Sequence, residues 1–536
     1  MGFIVYPGKL SDVKLRYVGC VISLKVSPKE HFPPLRQFLL ESNYTESAVC
    51  ERLGVRNIES CLTLRPKPGS PHSAQDGLDL LAHLFLIGQF VEQSELETWL
   101  PVPALEAASA LGLIAPYPND RPGLWWATAA LYPAYGLHIV SDRWRSPIHS
   151  TRDLEADPQP VVSSSHEVAM DWVFPAISES TQRFMETLPA DPCENFLDLC
   201  SGTGIAALSA ASRYARRAWS ADITEAAGLC AEFNRLLNDL ENISVVRGDL
   251  YEPVNGLTFD RIAANPPYMP SIRPAAVYAD GGELGDQITE RLVANLPKYL
   301  RPGGRFYCTA AGPDRVSENF EFRIRSWLKG AGPEFDIFAF ERRLFAPAYI
   351  ANQQAATSRG GTEQVEEWKA LFEKHQVEEI FYGSVVIQRK TSPGRPITVR
   401  RKKGTRLGSA EIEWFRGWET AAAEPEMLPR ILDARLLAAP GWELNVTHRL
   451  KDHELTAQEF RLQTSYPFTA ECAVQPWVAY FLPRCDGKTP ARELLAWLKE
   501  NQVVAADAPE HEFAEYLRVL ISGGFLEMEG WRVPER

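Results

Sequence analysis

An apolar strand that runs directly into a tight glycine turn constrains the fold of this chain more than any other feature. The strand covers 196–199, the turn reads Cys200-Ser201-Gly202-Thr203-Gly204, and helical sequence follows. Glycines in such a turn let the backbone approach a bound nucleoside and direct amide N–H groups at it. Cys200 stands where the commonest pattern has its first glycine, and a short side chain there still allows the turn to close. The turn indicates a nucleoside site, although alone it is often only structural.

Short strand patterns alternate with helical ones from Asn195 to about Arg389, which is typical of a parallel sheet covered by helices. Five strands are predicted in succession, at 196–199, 218–221, 243–247, 261–264 and 305–309. A late pair, 335–340 and 380–388, would close the sheet as a hairpin, with a long insertion at 344–375 between its members. The prediction is an α/β fold with a Rossmann-like, seven-stranded core.

Acidic residues follow the second and third of these strands. Asp222 lies eighteen positions after Gly204, where a carboxylate can accept both ribose hydroxyl protons. Asp249 is placed to accept from an adenine amino group. Either could be a solvated or helix-capping carboxylate, but two at successive strand ends favour a nucleoside ligand. A nicotinamide enzyme would use a similar turn, yet the third glycine of the dinucleotide pattern is missing.

The sequence Asn265-Pro266-Pro267-Tyr268 follows the fourth strand, near the crevice where open α/β sheets bind ligands. A sulfonium methyl donor needs no acid to expel its leaving group, so the enzyme mainly aligns the nucleophile. An asparagine oxygen and a backbone carbonyl can each accept one N–H of a planar NH2 group and stabilise the positive charge that develops there. The prolines hold that carbonyl outward, and Tyr268 offers a flat face for stacking. The alternative is a proline-rich loop that merely ends a strand.

Together these motifs resemble the HemK-type N-methyltransferases, a family of class I enzymes that depend on S-adenosylmethionine (SAM) and carry a methyltransferase small domain. The likeness covers about 160–390 and includes Asp-Gly-Gly at 280–282 and Arg-Pro-Gly-Gly at 301–304. The family includes release-factor glutamine methyltransferases and is similar to enzymes that methylate adenine N6 or guanine N2. The resemblance implies SAM as cofactor, with Asp198, Cys200, Gly202, Gly204, Asp222 and Asp249 as candidate cofactor-binding residues. It implies that the candidate catalytic residues are Asn265, Pro266, Pro267 and Tyr268.

Both flanks of this core are atypical of that family. We expect an N-terminal extension at 1–33, a winged-helix-like domain at 34–145, an irregular linker at 391–426 and a second winged-helix-like domain at 427–536. In the first domain, Thr45 is placed to cap a helix that Gly54 ends, and strands at 124–128 and 137–141 would form the wing. A polar linker at 146–159 would join it to the core. Winged-helix domains bind DNA in some proteins and dock proteins in others.

Charge and cysteine content limit the partners. The net charge of −13 suits a protein or small-molecule acceptor better than bulk nucleic acid. The nine cysteines are odd in number and widely spaced, and no two of them form a Cys-x-x-Cys pair, which predicts a reducing cytoplasm and no metal site. The apolar run at 17–24 is too short to span a membrane. The sequence leaves the oligomeric state open.

The leading hypothesis is a SAM-dependent N-methyltransferase that acts on a protein glutamine or a similar amide. The first alternative is methylation of an amino group on an RNA or DNA base, with the eight basic residues between Arg389 and Arg406 following phosphates. That basic run is more readily explained as a solvated linker. The second alternative is a SAM-binding protein without turnover, against which Asn265 and the three acidic positions argue.

Overall fold

The fold is given by a computed structural model that describes residues 13–17, 20–65, 72–117, 123–143, 171–273, 277–357, 361–392, 394–451 and 453–535. The chain divides into two compact units, which are described separately. Unit 1 comprises Met1–Met185 and Ala190–Cys308, and unit 2 comprises Glu186–Pro189 and Thr309–Arg536. Among the described residues, no helix has the length and apolar character needed to cross a membrane.

The N-terminal part of unit 1 combines short helices with three small sheets. Its elements are β1 (Val13–Tyr17), β2 (Cys20–Leu24), α1 (Phe32–Glu41), α2 (Glu46–Leu53), α3 (Gly77–Leu81) with a π-helical turn (Ala82–Ile87), β3 (Val91–Glu92), α4 (Gln93–Trp99), α5 (Val102–Ala110), β4 (Ile114–Pro116), β5 (Leu124–Ala127), β6 (Ala130–Ala134) and β7 (Leu137–Ser141). The sheets are β1-β2, β3-β5-β4 and β6-β7. The hairpin β1-β2 lies in the predicted N-terminal extension.

One helix boundary in this region was predicted correctly and the strand pairing was not. The Thr45 side chain accepts a hydrogen bond from Ala48 N at 3.3 Å, and Gly54 ends α2 with φ +64°. The predicted wing strands exist as β5 and β7, but they do not pair with each other. The turn Tyr135-Gly136, with φ +56° and +76°, folds β7 back onto β6 as a tight hairpin. The winged-helix identity stays a prediction, and the predicted linker at 146–159 lies outside the described residues.

The core of unit 1 is a parallel sheet covered by helices. Its elements are α6 (Glu179–Glu186), β8 (Cys193–Leu199), α7 (Ile205–Arg213), β9 (Ala215–Asp222), α8 (Glu225–Leu237), β10 (Ile243–Arg247), β11 (Phe259–Ala264), α9 (Gln287–Tyr299) and the first part of β12 (Leu300–Arg315). The strand order is β10-β9-β8-β11-β12, and every neighbouring pair is parallel. All five strands predicted for this part of the chain are present. Their carboxyl ends therefore meet at one edge of the sheet.

Helix α8 joins the N-terminal region to this sheet within unit 1. The Asn234 side chain is fully buried, and its Nδ2 donates to Val140 O in β7 and to Thr203 O in the glycine turn, both at 3.0 Å. Its Oδ1 accepts from Val140 N at 2.6 Å. The rings of Phe32 and Phe233 pack edge to face with centroids 5.0 Å apart. The N-terminal region is therefore packed directly on the core, with one amide side chain shared between them.

Unit 2 contains the rest of β12 and the remainder of the chain. Its elements are α10 (Phe320–Trp327), β13 (Phe335–Phe345), α11 (Pro347–Thr357), α12 (Gly361–Lys374), β14 (Val377–Arg389), β15 (Thr398–Lys403), α13 (Ser409–Ala422), α14 (Met427–Asp433), β16 (Arg435–Ala438), β17 (Trp442–Lys451), β18 (Glu454–Thr464), β19 (Phe468–Val474), α15 (Val478–Phe481), β20 (Asp486–Pro490), α16 (Ala491–Glu500), α17 (Glu510–Ser522) and β21 (Leu526–Glu527). Strands β13 and β14 form the predicted antiparallel hairpin, and α11 and α12 occupy the predicted insertion. The strand order continues β12-β14-β13-β15-β19-β18-β17.

The prediction of an irregular linker at 391–426 is wrong, because this segment contains β15 and α13. Strand β15 pairs in parallel with β13, and Arg400 on it forms a two-pronged ion pair with Asp314, with N–O distances of 2.6 and 2.7 Å. Arg400 also contacts Glu321, and the Arg400 side chain is only 16% exposed. Basic residues that a solvated linker would leave in water are here structural partners of acidic ones.

The C-terminal part of unit 2 differs in part from the predicted winged-helix domain. A small sheet, β20-β16-β21, packs with α14, α16 and α17 around a buried core that includes Phe481 and Leu517. The antiparallel strands β17, β18 and β19 were not predicted, and they extend the long sheet of unit 2. The winged-helix identity of the smaller part stays a prediction.

Candidate active site

The glycine turn after β8 has the conformation that its sequence predicts. Cys200, Gly202 and Gly204 have φ of +55°, +52° and +78°. Cys200 therefore adopts the left-handed conformation usual for glycine, at a cost of about 1–2 kcal/mol for a residue with a side chain. A Cβ on Gly204 would lie 3.0 Å from the Ala231 Cβ, so this glycine allows α7 and α8 to pack closely. The turn thus leaves its amide groups close to the sheet edge.

Two acidic side chains from neighbouring strands hold the turn and the helix that follows it. Asp222 at the end of β9 accepts hydrogen bonds from Gly202 N at 2.9 Å and from Thr224 N at 3.0 Å. Asp198 in β8 is 3% exposed and accepts from Ala207 N at 3.1 Å. Burial raises the pKa of Asp198 to about 8, the hydrogen bond from Ala207 opposes this, and the nearby charge of Asp222 adds to it. Asp198 is therefore protonated in the fold at neutral pH.

The Asn-Pro-Pro-Tyr segment begins at the end of β11, and its loop is held by a glycine-containing segment. Met269 N donates to Ala279 O at 3.0 Å, and Gly281 N donates to Met269 O at 2.9 Å. Gly285 has φ +85°, and a Cβ there would lie 2.5 Å from Tyr268 O. A Cβ on Gly281 would lie 2.8 Å from the Tyr268 Cα, so these two glycines let the segment pack directly against the backbone of Tyr268.

Asn265 has the feature expected of a group that binds an acceptor. Its side-chain Oδ1 is buried and accepts no hydrogen bond from the described residues. A buried amide oxygen without a partner is costly, by about 1–3 kcal/mol, and few are found in native folds. Asn265 thus supplies an unused hydrogen-bond acceptor at the carboxyl end of β11.

One cavity of about 510 Å³ brings these segments together within unit 1. Nine of the ten predicted site residues line it, namely Asp198, Cys200, Gly202, Asp222, Asp249, Asn265, Pro266, Pro267 and Tyr268. Gly204 does not line the cavity and instead packs against α8. Asp249 is about 40% exposed and forms an ion pair with Arg291, which also lines the cavity. The roles of these residues remain predictions, but nine of the ten lie around the same cavity.

An aromatic wall was missed by the sequence analysis. Trp172, Phe174 and Tyr278 line the same cavity, and their ring centroids lie 5.2 to 5.7 Å apart. Phe174 and Tyr278 are 39% and 38% exposed, so the wall faces the cavity and solvent. In the sequence, two of these aromatic residues are visible only as the run Trp172-Val173-Phe174-Pro175 just before α6. This run belongs to none of the motifs described above.

One group of side chains in the N-terminal region has the composition of a metal site. The possible ligand atoms of His72, Asp79 and His83 lie within 4.8 Å of one another. However, His72 Nε2 is hydrogen-bonded to Asp79 Oδ2 at 2.8 Å, and Arg52 Nη1 lies 3.7 Å from Asp79 Oδ1. Arg52 also forms a bidentate ion pair with Asp76, with N–O distances of 2.6 and 2.7 Å, so one guanidinium is shared between two carboxylates. The group is explained as a network of ion pairs around a buried carboxylate.

Comparison with known proteins defines the class of this site. Residues 174–321 match the methyltransferase small domain, and the parallel sheet of this part of the chain has the class I methyltransferase fold. Within that class the sequence is similar to protein glutamine methyltransferases of the HemK type. The chain is 32% identical over 158 residues to the ribosomal protein uL3 glutamine methyltransferase of Bradyrhizobium diazoefficiens, which covers 27% of this chain and 50% of that protein.

Other relatives agree with this assignment. The chain is 36% identical over 128 residues to the release factor glutamine methyltransferase of Moorella thermoacetica, covering 21% of this chain and 45% of that protein. The chain thus spans about half the length of the curated relatives that it matches. The solved structure of a ribosomal protein L11 methylase from Lactobacillus delbrueckii subsp. bulgaricus is 19% identical over 39% of this chain and 80% of its own, with a TM-score of 0.24.

Proposed function

We propose that the chain is a SAM-dependent N-methyltransferase that places a methyl group on the carboxamide nitrogen of a protein glutamine. The observation that carries this proposal is the Asn265 side-chain oxygen, which is buried and has no partner among the described residues, on a residue that lines the same cavity as Asp198 and Asp222. A hydrogen-bond acceptor in that place is suited to an N–H of the group to be methylated.

The donor side of the cavity fits SAM. The turn at 200–204 and the carboxylates of Asp222 and Asp249 come from three neighbouring strand ends, as a nucleoside requires. A Cβ on Gly202 would meet no atom within 4 Å, so the backbone there is open to a ligand. When bound, SAM supplies a methyl group on a positively charged sulfur. Asp222 would hold the ribose hydroxyls, and Asp249 the adenine amino group.

The acceptor side acts by orientation and charge. Asn265 Oδ1 accepts one N–H of the carboxamide, and the Pro266 backbone carbonyl accepts the other. These two hydrogen bonds draw the nitrogen lone pair out of conjugation and stabilise the positive charge that forms on nitrogen. Tyr268 packs against the flat face of the amide. No residue needs to protonate a leaving group, because the sulfur leaves as a neutral thioether.

A protein acceptor is favoured over a nucleic acid base by the relatives and by the charges in unit 2. The two relatives described above are named for glutamine methylation on ribosomal protein uL3 and on release factors. Five of the eight basic residues between Arg389 and Arg406 have carboxylate partners, namely Arg389, Lys390, Arg400, Arg401 and Arg406. Residues engaged in this way contribute little to phosphate binding.

Transfer of a tritiated methyl group from SAM into fractionated cell extract tests the proposal. The labelled fraction is digested separately with protease and with nuclease, and the modified residue is identified by mass spectrometry. We expect label on protein at a glutamine carboxamide, and none with Asn265→Ala at equal protein concentration. Label released by nuclease would assign the base-directed alternative, and absence of transfer with SAM bound would assign a binding protein without turnover.

A further inference from the structure

Besides Asn265, a second residue that lines the cavity has a polar side-chain atom without a partner among the described residues. The indole Nε1 of Trp172 is buried and has no hydrogen-bond partner among the described residues. An indole N–H can only donate a hydrogen bond, and an amide oxygen accepts one. The residues that line this cavity therefore include one with a buried donor and one with a buried acceptor, and neither atom has a partner in the part of the chain that the structure describes.

A primary carboxamide carries the matching pair of groups, since its oxygen accepts and its NH2 donates. A carboxylate would leave Asn265 without a donor, and an alkylammonium would leave Trp172 without an acceptor. We propose that Trp172 binds the oxygen of the acceptor carboxamide while Asn265 binds its nitrogen, so that Trp172 selects a carboxamide. This inference rests on the proposed function and adds a specificity-determining residue to it.

Neighbouring rings hold the indole of Trp172 in place. Its ring packs edge to face on Phe174 and Tyr278, with centroid distances of 5.2 and 5.3 Å. Tyr278 lies next to Ala279, whose carbonyl accepts the hydrogen bond from Met269 N. Trp172 is thereby packed against the segment that supports the Asn265 loop, and the donor and the acceptor belong to one packed assembly.

The chemistry fixes which kinetic constant Trp172 should affect. A hydrogen bond to the amide oxygen favours the resonance form with less electron density on nitrogen, so it does not assist methyl transfer itself. The hydrogen bond from Trp172 therefore contributes to the binding of the acceptor and to the choice of acceptor. Loss of an interaction that is no stronger in the transition state than in the bound acceptor raises KM and does not lower kcat. Loss of Asn265, in contrast, should lower kcat.

Other tryptophans provide a matched control. The indole Nε1 atoms of Trp368, Trp414 and Trp418 are also buried without a partner, but none of these residues lines the cavity. Trp414→Phe removes the same atoms as Trp172→Phe, in unit 2. An effect seen only with Trp172→Phe therefore depends on position in the cavity and not on loss of an indole.

The test uses the full chain and the labelled acceptor protein purified from the extract. With SAM saturating, Trp172→Phe should raise the KM for that protein about five- to tenfold, the usual effect of one neutral hydrogen bond. We expect kcat within twofold of wild type, SAM affinity unchanged, and Trp414→Phe equal to wild type. An unchanged KM, or a fall in kcat with KM constant, would overturn the assignment. If the label lies on an atom other than a glutamine nitrogen, the proposed function itself fails, so the two failures are distinguishable.

Discussion

The buried carboxyl group of Asp198 should make the stability of the fold depend on pH in an unusual direction. Its pKa is raised from the ordinary 3.8 to about 8 by burial, so the folded chain keeps a proton that the unfolded chain has lost. Between these two values the unfolded state binds fewer protons, and stability falls by about 1.4 kcal/mol per pH unit. The stabilisation that comes from the proton on Asp198 is fully present below pH 4 and is lost by about pH 8. From pH 4 to pH 7 it amounts to about 4 kcal/mol.

The variant Asp198→Asn isolates this effect, because an asparagine oxygen can still accept from Ala207 N but cannot ionise. We expect denaturant unfolding without SAM to show that the free energy of unfolding of the variant, relative to wild type, increases as pH rises from 5 to 8. Other buried carboxyls, such as Asp142 with a pKa raised by burial to about 7, are common to both proteins and cancel in the difference. A difference that stays constant over this range would show that Asp198 is ionised in the fold, and the reasoning from burial would be refuted.

Three further changes test the site and unit 2. Asp222→Ala should weaken SAM binding by about 1–3 kcal/mol in calorimetry, because charged hydrogen bonds to ribose are lost; equal affinity would remove Asp222 from the cofactor site. Asn265→Ala should keep SAM affinity within a few-fold and lower single-turnover methyl transfer roughly 10²–10³-fold, whereas a near-normal rate would make the loop a structural turn. Arg400→Met should destabilise the chain by about 3–5 kcal/mol on denaturant unfolding, since Asp314 and Glu321 are left buried and unpaired. Lys402→Met, at an exposed position on the same strand, is its control and should change little.

The parts of the fold that could be predicted are those with a local pattern. Apolar strands, glycine turns and acidic strand ends recur at short, regular intervals, so β8 to β12 and the hairpin β13-β14 were found from sequence. The cap at Thr45 depends only on its own helix and was also predictable. For the same reason nine of the ten predicted site residues lie on one cavity, because parallel strands bring their carboxyl ends to one edge.

The parts that could not be predicted depend on distant partners. The linker at 391–426 was inferred from proline, glycine and positive charge, but Arg400 is held by Asp314, eighty-six positions earlier in the chain. Trp172 belongs to no motif, and its unused N–H is recognisable only when the cavity around it is known. The pairing of β5 and β7 was wrong because short strands of similar composition give no signal of which neighbour they choose.

The Asn234 side chain connects the outer region of unit 1 with the donor site. One amide group is hydrogen-bonded both to Val140 in β7 and to Thr203 in the turn that would face SAM. A ligand that displaced β7 would break two of the three hydrogen bonds that fix this amide, and would in this way couple to the turn and to the affinity for SAM. Thermodynamic linkage makes this coupling reciprocal, so SAM alters the affinity of that ligand by the same factor. Titrating one ligand in the presence of the other would measure this coupling free energy.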